Sequence, residues 1–358
     1  MIEYKQAGIN LLHTEVVDAK SSDSVGQLHS WLAETLGTNH YSVQPAFAGN
    51  LSSTYFRITI GNETRLVIDA HKWPTDYRQF QQISALFREA EVNAPTVLAG
   101  DHARGYLLTT DLGSETYLEA LNEANAESLF RDARGALIKW QLASKSGVLP
   151  ICDKAHLHHE LNQFSNGFIA QHLGIILAAP QQQVLVEVFK SIIEANTAQA
   201  NVYVHRDFVP RNLLASTPNP GILGFQNAMM GAISYDIASL YKDVDMWWDE
   251  ERILDGTIRY WEAAKKSGLP VPADFGDFYR DAEWMGLQRH LKMMGTFTSD
   301  VDDACSAPRQ LQHLEQMPRL IRYVRTVGER YVALFPLIRL FDKLQISDGI
   351  KRTVGVSF

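Results

Sequence analysis

The densest chemistry in the chain lies at His205-Arg206-Asp207 and, five residues past the aspartate, at Asn212. A carboxylate and a neutral amide at that offset suit phosphoryl transfer. The acid takes the proton of an attacking hydroxyl, while the amide oxygen reaches magnesium bound to nucleotide phosphates. The preceding Val202-Tyr203-Val204 is apolar and β-branched at both ends, which predicts a short strand delivering the tripeptide to a surface. A loop aspartate capping a helix and an asparagine in a turn would give the same letters. The offset and the apolar run favour the chemical reading. Asn219-Pro220-Gly221 is turn chemistry, and Gly221-Ile222-Leu223 is expected to be a return strand.

The elements that must position these residues differ between the two ends of the chain. The first ~20 residues have no firm period. A helix is expected from Ser24, with Gln27 completing a capping box, Leu28, Leu32 and Leu36 on one face, and Gly37 as terminator. Thr54 to Ile60 alternates, Gly61-Asn62 is a turn signal, and Arg65 to Asp69 reads as the return strand of a hairpin. Arg78 to Ala90 carries Phe80, Ile83, Phe87 and Ala90 at helical spacing, and two short β-like runs follow, Thr96 to Ala99 and Gly105 to Asp111. After Asp111-Leu112-Gly113 helical patterns dominate, at Asn125 to Ser144, His156 to Leu173, Gln183 to Ala198 and in several stretches between Asp249 and Leu340. The expected fold is α+β and bilobal: residues 1–112 as a small antiparallel β lobe with a packed helix, and residues 113–358 as a larger, mostly helical lobe.

The 358 residues are enough for two cores, and 46% hydrophobic with 21% charged residues is ordinary globular composition. A formal charge of −8 argues against a phosphate-tracking surface, so no nucleic-acid partner is expected. No stretch approaches the ~18 apolar residues that span a bilayer, and the opening residues lack the pattern of a signal peptide, so a cytoplasmic location without membrane contact is expected. Cys152 and Cys305 are too few for a disulfide framework and read as reduced thiols.

The runs HRDFVPRNLL, NPGILGFQNA, ISYDIASLYKD and MGLQRHLKMMGTF, with GYLLTTDLGSETYL earlier, resemble the aminoglycoside-phosphotransferase-like kinases. Among these the chain is most similar to the bacterial anomeric sugar kinases of cell-wall recycling, from about Ser52 to the region of Phe297. The resemblance implies a protein-kinase-like fold and ATP-dependent phosphorylation of the anomeric hydroxyl of N-acetylmuramate or N-acetylglucosamine. It implies Asp207 as base, Asn212 as magnesium ligand, and adenine at a hinge formed by Thr110, Asp111 and Leu112. The loop Asn50 to Thr54, with Ser52, Ser53 and Thr54, is implied to cover the phosphates, and Asp236 to tie the catalytic loop to the next helix, with His205 as further support. Arg289 and His290 coincide with a marker of the anomeric kinases, and a guanidinium suits a polyhydroxylated or acidic acceptor. The plainer reading is a helix with Leu287, Leu291 and Met294 packed inward and Arg289 and Lys292 solvated. Arg211 is placed near the nucleotide or sugar on similar reasoning.

Two positions depart from that pattern. Where the family reads aspartate, and commonly a second three residues on, this chain has Gly224 and Asn227. Three readings stand: a nucleotide-binding protein without turnover, an active kinase in which Asn227 or Gln226 helps hold magnesium, or a variant of an active parent. An aminoglycoside kinase is a further alternative, and its cationic acceptor would call for a carboxylate patch. Lys72, three residues past the β-strand aspartate, is within conceivable reach of a phosphate, although a lone strand-end lysine is commonly solvated. In the His156-Leu157-His158-His159-Glu160 cluster the spacings do not share one helix face, so a polar helix surface is expected and no metal site. Trp247-Trp248 is read as core with partial exposure, and only secondarily as a wall for a sugar ring.

Overall fold

The computed structural model describes residues 19–46, 55–69, 77–246, 248–299 and 307–348. The N-terminal elements are α1 (Ala19–Leu36), β1 (Ser42–Pro45), β2 (Tyr55–Ile60), β3 (Glu63–Asp69), α2 (Tyr77–Glu89), β4 (Val97–Asp101) and β5 (Tyr106–Thr110). The five strands form one antiparallel sheet in the order β1-β2-β3-β5-β4.

Alternation along the strands explains why both faces of this sheet are covered. Val67, Tyr106 and Leu108 point to the face that receives Leu28, Trp31 and Leu32 of α1. Leu66, Ile68 and Leu107 point to the opposite face, with Phe80, Ile83 and Phe87 of α2. The helix expected from Ser24 begins five residues earlier, at Ala19, so Ser24 lies inside it and is not its cap. Gly37 ends it, with a φ of 64° and its N–H on the Ala33 carbonyl at 3.0 Å. Strand β1 carried no clear signal: with only four residues, one of them Pro45, at the sheet edge, it is held by pairing with β2.

The helical part follows as α3 (Tyr117–Ala120), α4 (Ala126–Leu142), α5 (Lys154–Gln163), a π-helical stretch (Phe164–His172) and α6 (Ala179–Thr197). Beyond the short strands lie α7 (Tyr235–Tyr241), α8 (Glu250–Lys266), α9 (Phe275–Ser299), α10 (Ala307–Arg330) and α11 (Phe335–Lys343). Helix α9 runs through the middle, with fully buried Leu287, Leu291 and Met294. Its approach to the junction of α5 and the π-helical stretch is backbone-close: a Cβ built on Gly295 would lie 2.1 Å from the Gln163 carbonyl and 2.7 Å from the Phe164 nitrogen. Helix α2, packed on the sheet, is joined to the helical part by stacked rings, Phe87 on Trp140 with centroids 3.9 Å apart and Phe80 on Phe225 at 4.5 Å.

Among the described residues no helix is long and apolar enough to cross a membrane. Cys152 is buried, and burial pushes its thiol up to about 12. Cys305, Trp247, Lys72 and the segment Asn50 to Thr54, with Ser52 and Ser53, lie outside the described residues.

Candidate active site

Strand β6 (Asn201–Val204) pairs antiparallel with β9 (Met229–Ala232), so the chain leaves β6 at His205 and returns to the same place at Met229. Between them β7 (Leu213–Leu214) and β8 (Gly221–Ile222) form a small ribbon, and Leu223 N–H donates to the Asn212 carbonyl at 2.8 Å. Two loops, 205–212 and 223–228, are thereby held side by side.

The first loop is wired from below. Asp236, fully buried at the start of α7, accepts the His205 N–H at 2.7 Å and the Arg206 N–H at 2.9 Å. Burial raises its carboxyl, and although the two N–H bonds oppose this, it sits at about 7. His205 bonds the Leu223 carbonyl through Nε2 at 2.9 Å, and its Nδ1 accepts the Asp207 N–H at 3.2 Å. Burial holds this imidazole down at about 4, so it is neutral and its two nitrogens have opposite roles.

Asp207 emerges with its side chain 43% exposed. Arg211 Nη2 lies 3.1 Å from its Oδ1, Arg289 Nη2 lies 3.6 Å from the same atom, and Asn212 Nδ2 donates to Oδ2 at 2.9 Å. Burial works to raise this carboxyl, but Arg211 and Arg289 outweigh it and hold it at about 2. The guanidiniums are themselves balanced: Arg211 Nη1 is 2.8 Å from Asp245, and Arg289 is 3.4 Å from buried Asp243. Gln316 of α10 also donates to Asp245. The result is an alternating set of two cations and three carboxylates with one carboxylate facing outward.

Gly224 adopts a left-handed φ of 77°, and a Cβ there would lie 2.8 Å from Asn212 Nδ2 and 3.2 Å from its Oδ1. The Asn212 amide therefore occupies the space beside a residue that has no side chain. Asn227 is exposed on the following turn, whereas the Gln226 Oε1 is buried and finds no partner among the described residues. Among the described residues no three or more His, Cys, Asp and Glu side chains gather to hold a metal. Magnesium in nucleotide sites, however, takes one or two protein oxygens and finds the rest in phosphates and water. With its Nδ2 committed to Asp207, Asn212 retains its Oδ1 for that role, so the donor set fits a nucleotide-borne ion thinly, through Asn212 and Asp207.

The structure gathers Asp207, Arg211, Asn212, His205, Asp236 and Arg289 in one place. Arg289, 4% exposed, faces the 205–212 loop and is not solvated. His290 points elsewhere: its Nε2 bonds the Lys242 carbonyl at 2.9 Å and its ring stacks on Tyr323. Thr110 Oγ1 accepts the Thr96 N–H at 2.9 Å. The Asp111 carboxylate is taken by Arg57 at 2.6 Å, so its side chain is already committed to an ion pair. Trp248 packs edge-on against Phe130 under Arg252.

Three functional-looking residues escaped the sequence reading. Asp243 and Asp245 follow an almost wholly buried helix in alternate positions, and that abrupt acidic pair was the available signal. Glu160 was placed on a polar helix surface; instead it is 3% exposed and paired with Arg206 and Lys292. Helix periodicity could not reveal a charge that is buried by a loop arriving from elsewhere in the chain.

A two-part molecule, with a sheet packed on a helical body and an outward carboxylate beside an asparagine, is the architecture of protein-kinase-like phosphotransferases, which use a hydroxyl acceptor. The chain belongs to the phosphotransferase enzyme family, whose model matches residues 42–273. It is 38% identical over 300 residues to the N-acetylmuramate/N-acetylglucosamine kinase of Pseudomonas aeruginosa, covering 84% of this chain and 88% of that one. The protein of the same name from Neisseria meningitidis is 37% identical, over 89% and 95% of the two chains. Among solved structures, aminoglycoside 2′-phosphotransferase-IIIa in its GDP complex superposes with a TM-score of 0.57 at 14% identity, covering 84% of this chain and 98% of that chain. Choline kinase LicA from Streptococcus pneumoniae gives 0.54 at 12% identity, over 82% and 98%. These two likenesses establish the fold. A reading without turnover finds no support in the curated relatives, which are named as kinases.

Proposed function

We propose that the protein transfers the γ-phosphoryl group of ATP to the anomeric hydroxyl of N-acetylmuramate or N-acetylglucosamine. Asp207 receives and orients the hydroxyl for in-line attack, and Arg211 and Arg289 fix the carboxylate that does so. Main chain near Thr110 to Leu112 would meet the adenine, and Asn212 with Asp207 would hold the magnesium carried by the phosphates. That ion, when bound, neutralises phosphate charge. The names of relatives that share more than a third of their residues across most of both chains support the acceptor.

The observation that carries the mechanism is the pair of guanidiniums on Asp207. Arg211 and Arg289 hold this carboxyl well below the usual range, so it is ionised and fixed in direction, as a group that accepts and orients an attacking hydroxyl must be. The test is transfer from magnesium-ATP to each sugar, with the product examined for phosphate at the anomeric position. Phosphate at another hydroxyl, or transfer only to an aminoglycoside, would sink the proposal.

A further inference from the structure

The cluster around Glu160 does not touch the outward face of Asp207, yet it is built onto the same loop. Arg206 has a φ of 72°, a left-handed backbone that a Cβ-bearing residue adopts only when its surroundings impose it. Three contacts impose it here. The Arg206 N–H is bound by Asp236 at 2.9 Å, its Nη1 lies 3.2 Å from the Met229 sulfur, and its Nη2 donates to Glu160 Oε1. The same Glu160 oxygen accepts from Lys292 Nζ at 2.6 Å and has His156 Nε2 at 3.5 Å.

Lys292 lies one turn of α9 beyond Arg289, on the same face. One helix therefore sends Arg289 to Asp207 and Lys292 to the carboxylate that holds Arg206. Between these two grips stands the single backbone unit that turns the chain from His205 to Asp207. If Arg206 relaxed to a right-handed conformation, the direction in which Asp207 leaves the loop would change.

We propose that Glu160 is a positioning residue for the catalytic loop: seated between Arg206 and Lys292, it holds Arg206 in its left-handed conformation and so sets where Asp207 is presented. This inference rests on the reading of Asp207 as the group that meets the acceptor hydroxyl. Among the described residues this carboxylate is the one anion paired with both cations, its side chain 4% exposed, against 13% for Arg206 and 27% for Lys292. Glutamine at 160 keeps the shape and an oxygen for Lys292 but removes the charge.

The experiment compares wild type, Glu160→Gln, Arg206→Met and the double variant in transfer from magnesium-ATP to N-acetylmuramate, with ADP binding measured by calorimetry. Glu160→Gln is expected to lower kcat by about 10²-fold, the scale of a misplacement of about 1 Å, while KM and ADP affinity stay within about twofold. A merely structural role would instead lower the melting temperature and leave the kcat of the folded fraction intact, which would overturn the proposal. In the Arg206→Met background, Glu160→Gln is expected to add no further loss; additive losses would also overturn it. Should Glu160→Gln fail to fold, the double variant removes one buried cation as well and decides the matter. Folded and slow, it supports positioning; folded and fast, it refutes it. Wild type and Asp207→Asn in the same assay keep the two failures apart, because an inactive wild type or an active Asp207→Asn indicts the phosphoryl-transfer reading itself.

Discussion

Replacement of Gly224 tests how the second loop supports the first. Its φ of 77° costs a Cβ-bearing residue about 1–2 kcal/mol. The new Cβ would lie 2.8 Å from Asn212 Nδ2, whose donations to the Asp207 carbonyl at 2.8 Å and carboxylate at 2.9 Å must then be rebuilt. Loss of those bonds costs about 1 kcal/mol each, so Gly224→Ala is expected to destabilise the protein by about 3 kcal/mol in all, or about 5 °C in melting temperature. Gly224→Asp carries the same backbone and steric cost in the free protein. With magnesium and ADP present, however, its carboxylate adds a hard oxygen donor beside Asn212, and ligand binding raises stability by mass action. Thermal melts of wild type, Gly224→Ala and Gly224→Asp, each with and without magnesium-ADP, separate the two effects. The aspartate variant is expected to show a larger ligand-induced rise than the alanine variant. If alanine melts with wild type, the Asn212 amide is not pinned against residue 224. If both variants respond alike to magnesium-ADP, residue 224 does not face the metal.

Asp207→Asn is expected to reduce kcat by about 10³-fold, measured by steady-state kinetics; a loss under tenfold would exclude Asp207 from the reaction. Between pH 5 and 8 Asp207, held at about 2, stays ionised, so kcat is expected to fall toward acid with a midpoint near 7, as Asp236 takes up a proton and loosens its hold on the His205 and Arg206 N–H groups. The Asp236 contribution to stability runs the opposite way. A folded value of about 7 above an ordinary 3.8 means that the native state binds the extra proton, so this contribution falls as pH rises from about 4 to 7. Activity and this part of stability are thus expected to change in opposite directions over one window, and a flat kcat profile from pH 5 to 8 would reject the assignment. Gly295→Ala places a methyl 2.1 Å from the Gln163 carbonyl, a backbone clash that α9 can relieve only by shifting. A loss of at least about 3 kcal/mol in denaturant unfolding is expected, and a neutral variant would show that α9 moves freely.

Local chemistry made much of this molecule legible from its letters. Alternation in Thr54 to Ile60 and Arg65 to Asp69 and helical spacing in Arg78 to Ala90 are short-range patterns, and the hairpin and helix lie within a residue or two of them. The same holds for His205, Asp207 and Asn212, because the offset between them is a property of one loop. The α1 start was misplaced because a capping pattern at Ser24 also fits a helix interior. Glu160 was misread because its partners, Arg206 and Lys292, are 46 and 132 residues away. Only the tertiary structure could decide what surrounds Asp207. The folding of α9, the residues after α7 and the catalytic loop into one volume sets two guanidiniums on its carboxylate and buries the acids that balance them. Sequence determines which groups exist and how neighbours along the chain repeat, whereas the protonation and direction of a buried charge depend on solvent removed and partners supplied by distant segments.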